Sequence, residues 1–136
     1  MKKIKSFFLF LMVITISFFL RSCLSEPYSY QDFLIKVDSI QIPDTITLNI
    51  PFDIKFFGTI GFDGCYSFKT FNQTVIDNDI TIETWGTYEN INGTCPTVIV
   101  SLDGQKLNMT FHTPGIYNFN IIQPDNTSLV RQITVN

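Results

Sequence analysis

TITLNIPFDIKF, residues 45–56, decides how this chain folds. Ile46, Leu48, Ile50, Phe52, Ile54 and Phe56 take every even position, while Thr45, Thr47, Asn49, Pro51, Asp53 and Lys55 take the odd ones. A period of two sends one kind of residue to each side of an extended chain, so the stretch reads as half-buried β-strand. Pro51 has no N–H to give to a ladder. The run is therefore expected either as two strands with a step between them or as an edge strand.

The same period extends in both directions. Upstream, Phe33, Ile35 and Val37 alternate with Leu34, Lys36 and Asp38; downstream, strands are expected at about 65–71, 80–88, 97–102, 107–111, 115–122 and 129–135. Turn chemistry separates them: Asp63-Gly64, Asp77-Asn78-Asp79, Asn92-Gly93, Asp103-Gly104, Pro114-Gly115 and Pro124-Asp125-Asn126. Asp103-Gly104, two residues that tolerate positive φ between apolar runs, is the clearest hairpin signal. No stretch shows a helical period. Seven to nine short strands predict an all-β, antiparallel sandwich over residues 33–136, with a small closed barrel as the alternative.

The first 22 residues read differently. Lys2, Lys3 and Lys5 precede an apolar block from Phe7 to Leu20 broken only by Thr15 and Ser17, the layout of a secretory signal. Fourteen residues at about 1.5 Å each span roughly 21 Å as a helix, short of the ~30 Å hydrocarbon core, so export and cleavage are expected rather than a permanent span. The block ends in Leu20, Ser22 and Cys23, which resembles a bacterial lipobox and implies lipid attachment to Cys23; Arg21 departs from that pattern. An ordinary cut after Ser25, or an uncleaved anchor, is the alternative. Residues 23–32, with Pro27 and polar or tyrosine side chains, are expected to tether the domain to the membrane.

Three cysteines in an exported chain leave one that needs its own explanation, and lipidation of Cys23 supplies it. Cys65 and Cys95 are then free to pair in an oxidising compartment, closing a loop of about 31 residues. Two unpaired thiols packed as small apolar residues are the alternative. Removing residues 1–22 takes four bases and no acid from a chain of formal charge −3, leaving five bases against twelve acids and a charge of −7. Those five bases are scattered singly, so no positive stripe is present to displace counterions, and nucleic-acid binding is not expected.

GFDGCYSF at 61–68, GTCP at 93–96 and TPGIYNFNIIQPDNTSLVRQITV at 113–135 resemble single-domain, immunoglobulin-like exported lipoproteins of the Bacteroidota type. The resemblance spans most of the chain after the leader. It implies a β-sandwich with a cysteine pair, and Tyr117 after the Pro-Gly turn is similar to the tyrosine corner of such sandwiches. It brings no catalytic residues. Trp85 lies only ten residues before Cys95, a spacing unlike the immunoglobulin pattern, so the cysteines are not assigned to its usual strands.

Chemistry-bearing residues are sparse. His112, the single histidine, reads as a loop-edge residue; no GxSxG, HExxH or CxxC string occurs, and neither a cofactor nor a metal is called for. Asp77, Asn78 and Asp79 read as a turn rather than a calcium loop. A carboxylate hydrolase would need two of Asp63, Asp77, Asp79, Glu83 and Glu89 to converge in a concave pocket. Asp38-Ser39-Ile40 and Asp44-Thr45-Ile46 resemble the acceptor at which Bacteroidota attach O-glycans, which implies sugar on Ser39 and Thr45. The Asn-x-Ser/Thr strings at Asn72, Asn92, Asn108 and Asn126 matter only in a eukaryotic source. Trp85 shares the odd face of its strand with Thr81, Glu83 and Thr87, so it is expected to face outward, beside Tyr88, as an anchor for a glycan or a protein partner.

The expected protein is thus a lipid-anchored binding or accessory module of the cell envelope without catalytic activity, or else a structural subunit of an envelope complex. The outer membrane is its expected place, and a soluble periplasmic or secreted form is the alternative. Glu26, the one acid soon after Cys23, tilts the orientation towards the periplasm.

Overall fold

Most of the alternating stretches become strand in the computed structural model, which describes residues 28–91 and 93–136; residues 35–38 and 47–51 do not. In chain order the strands are β1 (Ser29–Leu34), β2 (Ser39–Gln41), β3 (Thr45–Ile46), β4 (Phe52–Phe57), β5 (Thr59–Gly61), β6 (Tyr66–Ile76), β7 (Asp79–Asn90), β8 (Val100–Ser101), β9 (Gln105–Met109), β10 (Gly115–Ile122) and β11 (Ser128–Val135). No helix occurs among the described residues. Expected signal cleavage, Cys23 and Asn92 lie outside them.

The opening stretch splits at its proline. β3 belongs to a six-stranded sheet and β4 to a three-stranded one. Between them Asn49 takes a φ of 60°, and Leu48 and Asn49 donate backbone hydrogen bonds to Asn136 and Phe111. Pro51 therefore stands where the chain changes sheets, at a point where no ladder asks for its N–H.

β7 organises the larger sheet. β6 runs antiparallel along one of its edges; the other edge is shared end to end, with β10 parallel to residues 79–83 and β1 antiparallel to residues 85–90. β11 follows antiparallel to β10, and β3 closes the sheet parallel to β11. The smaller sheet is β2-β4-β9, extended by the pair β5-β8. Packed face to face, the two layers form a sandwich with no closed barrel. Ile80 and Ile82 of β7, Phe119 and Ile121 of β10 and Ile54 and Phe56 of β4 are fully buried between them.

Four expectations need correction. The sandwich is mixed rather than antiparallel, because β7–β10 and β11–β3 are parallel pairs. Residues 29–32 are not tether but the start of β1, where Ser29 pairs with Asn90 and Asp32 with Thr87. Asp103 and Gly104 do take positive φ, 45° and 76°, yet they do not join two paired strands. β8 pairs with β5 and β9 with β4, so the turn interrupts one long antiparallel run opposite Gly58. The strand expected at 97–102 shrinks to Val100–Ser101, because residues 93–99 form an irregular loop. Tyr117 fulfils its role at the corner: it is buried, and its hydroxyl donates to the Thr113 carbonyl at 3.1 Å.

One polar residue stitches the layers together. Residues 35–38 cross from the large sheet, where Ile35 donates to Thr84, to the small one, where Asp38 donates to Phe57. Midway, buried Gln123 accepts from the Val37 N–H at 3.0 Å and donates to the Val37 carbonyl at 3.2 Å, acting as a one-residue strand. Gln123→Leu would strand both backbone groups away from water and is expected to lower stability by about 2–3 kcal/mol, read from urea unfolding. A loss under about 0.5 kcal/mol would show that water replaces the amide.

Candidate functional site: an aromatic cleft at the disulfide end

At one end the two layers separate and leave a cleft of about 640 Å³, lined by Phe33, Ile35, Ile60, Phe62, Tyr66 and Tyr88 among others. Two glycines make room for its rings. A Cβ on Gly86 would lie 2.8 Å from Phe33 Cζ, and one on Gly61 would lie 2.1 Å from Tyr66 Cγ, so both rings rest directly on backbone. Tyr66 then packs edge-on between Phe33 and Tyr88, with centroids 5.5 and 4.8 Å away. Such geometry holds the rings in place by quadrupole attraction as well as by buried area.

A disulfide closes this end. Cys65 and Cys95 are bonded, with Cα atoms 5.4 Å apart. Around them the Gly64 N–H donates to the Pro96 carbonyl at 2.8 Å, Asp63 Oδ1 accepts from the Cys65 N–H at 3.0 Å, and the Tyr88 hydroxyl lies 3.6 Å from Cys95 Sγ. The irregular loop is thereby tied beside β5. Phe62 projects from the cleft's rim with 75% of its surface exposed, and Val98 and Ile99 are exposed on the adjoining loop. Asp63 and the two sulfurs come within 4.8 Å of one another, but the sulfurs are spent in the disulfide, so the group offers a metal one carboxylate.

Trp85 and Tyr88 part company here. Three positions apart on β7, they point to opposite faces, because a strand has a period of two. Tyr88 faces the cleft. Trp85 is half-buried on the outer face, flanked in register by Leu34 and Thr70, and its Nε1 donates to Glu83 Oε2 at 2.9 Å. Nearby, Lys69 forms an ion pair with Asp32 and lies 3.3 Å from the Tyr30 hydroxyl. The hydrogen bond from Lys69 holds the Asp32 carboxyl below its usual range, and the same bond raises the lysine.

The remaining candidates stand apart. Ser39 and Thr45 are both exposed, on β2 and β3. His112 is exposed on a loop, with Nδ1 2.7 Å from Asn49 Oδ1. Asp77 and Asp79 sit at the β6–β7 turn, while Glu89, ten residues along β7 from Asp79, sits at the disulfide end, roughly 33 Å away by strand rise.

No protein family matches the chain, and neither does any curated protein or solved structure. Phe33, Tyr66 and Phe62 escaped sequence reasoning because two segments about thirty residues apart supply them. The available local signal was Gly61, a small residue just before the aromatic and cysteine cluster of 62–66. Gly61→Ala is expected to push the Tyr66 ring out of its seat, cost about 1–3 kcal/mol and alter the near-UV circular dichroism of the tyrosines. An unchanged spectrum would show that the ring does not need that seat.

Proposed function

We propose that this chain is a non-catalytic binding or accessory module of the cell envelope, exported by residues 1–22, held at the membrane by acyl chains on Cys23, and engaging an envelope protein through its aromatic cleft. The observation that carries this reading is the union of the cleft with exposed Phe62, Val98 and Ile99 at an end tied by the disulfide. Exposed apolar side chains gathered around a concavity are the usual signature of a partner site, and large aromatics dominate the energetics of such sites. The disulfide favours an oxidising, exported setting. The residues that line the cleft include no carboxylate, which favours binding over acid–base chemistry there. As a structural subunit the protein would use the same end against a permanent neighbour.

A photoreactive phenylalanine analogue at position 62, irradiated in intact envelopes, tests this. We expect one stoichiometric protein adduct that is absent when the analogue replaces exposed Val130; no adduct at 62 would sink the reading. Half-exposed Trp85 supports a second reading, a glycan stacked on the outer face, which glycan-array binding lost in Trp85→Ala would establish. Intact mass of the mature protein reports the modifications: an N-terminus at Cys23 with an acyl surplus is expected, and glycans on Ser39 and Thr45 would add to it. An unmodified N-terminus elsewhere refutes the anchor.

A further inference from the structure

The free edge of β6 sets it apart from the other strand edges. Natural sheets blunt their edges with short strands, prolines, bulges and charges. β3 is two residues long and follows Pro43, and Asp44 beside it is ion-paired to Arg131 at 3.1 Å. β2 and β5 have three residues and β8 two, β1 carries Asp32, ion-paired to Lys69, and β9 carries Lys106, ion-paired to Asp53 at 3.1 Å. β6 has eleven residues and, among the described residues, pairs only with β7. Its one protection is a bulge at Lys69, between Phe68 and Thr70. Beyond the bulge, residues 70–76, TFNQTVI, hold no charge, proline or glycine, and residues 72–76 are all exposed. Val75 and Ile76 are 53% and 66% exposed.

The direction of the free backbone groups follows from the turn. Ile76 pairs with Asp79 across two residues, so Phe71, Gln73 and Val75 turn their N–H and C=O groups away from β7. The Phe71 carbonyl accordingly accepts the neighbouring Thr70 hydroxyl, at 3.3 Å.

We propose that this edge is a homodimer interface, in which β6 of two copies pair antiparallel about a twofold axis at Gln73 and join two sandwiches through one continuous sheet. A symmetric pair must match outward-facing residues with outward-facing residues, and centring on Gln73 does so. This register sets Phe71 of one copy against Val75 of the other, Thr70 against Ile76, and the two Gln73 side chains against each other. The charged residues that flank this stretch, Asp77 and the Lys69 already paired with Asp32, fall at its two ends, outside the shared ladder. Exposed apolar side chains of each copy are set beside those of the other and no charge enters the shared stretch, a self-complementary match that selects a second copy as the occupant.

The full chain, purified in mild detergent, is expected to sediment as a dimer of protein mass. Gln73→Cys should form a disulfide-linked dimer on mild oxidation, its Cα–Cα distance across the axis being about 5.5 Å, within bridging range. Ser128→Cys, exposed on β11, should not. Val75→Lys, at an exposed position, should leave the circular dichroism unchanged and abolish the dimer. A protein that stays monomeric at all concentrations, a dimer unaffected by Val75→Lys, or a Gln73→Cys variant that links only to some other envelope protein would each overturn the proposal.

Discussion

Replacing Phe119 by alanine is expected to lower the unfolding free energy by about 3–5 kcal/mol, the usual loss when a fully buried phenylalanine leaves a cavity that its surroundings cannot fill. Phe119 is central on every count. It is fully buried, pairs in register with Ile80 on β7 and Arg131 on β11, and meets Phe111 edge-on at 6.3 Å. Phe111 in turn packs on Tyr117 at 4.2 Å and on Phe52 at 5.6 Å, so the ring stands where both layers share one aromatic cluster. Ile116→Ala on the same strand provides the contrast, since that side chain is 54% exposed on the outer face and its loss should stay within about 0.5 kcal/mol. Urea unfolding of the two variants reads the difference. Equal effects would mean that the faces of β10 are wrongly assigned.

Replacing Cys65 and Cys95 together by alanine is expected to lower stability by about 3–4 kcal/mol, because the bond then no longer restricts the unfolded chain. The two cysteines are 30 positions apart, and the loop they close contains β6 and β7, the longest hairpin of the fold. Loss of the bond should also be felt locally. Residues 93–99 form no strand, and beyond the disulfide the contact from Gly64 to Pro96 is their main tie to the β5 end. If the cleft binds the envelope partner proposed above, the variant should therefore bind it more weakly than its loss of global stability explains. A fall below about 1 kcal/mol would indicate that the ladder alone confines this loop.

Periodicity made much of this fold legible. Alternation about Pro51 implied either two strands with a step or an edge strand, and Pro51 does separate β3 from β4. The span 115–122 is β10 as expected, and Trp85 does lie on the outer face with Glu83. The same rule, applied one residue further, would have kept Tyr88 apart from Trp85, since odd and even positions never share a face. Asp103-Gly104 misled for another reason. Positive φ at two residues is a local fact, but whether the flanking strands pair with each other or continue along a third depends on distant chain. Ser29 to Asp32 read as tether because their polarity suits an edge strand as well as a linker.

What the sequence determined on its own was therefore much of what depends on neighbours a few positions apart: the extended period, the turn sites, the buried faces of β4, β7 and β10 and the cysteines free to pair. Tertiary structure alone decided which strands lie side by side, where β7 shares an edge between β1 and β10, and how Gly61 and Gly86 seat the rings of an open cleft. The physical reason is range. Side-chain alternation is imposed by backbone sterics within each strand, whereas strand order is chosen by matching buried faces across long loops, and many orders satisfy the same local pattern.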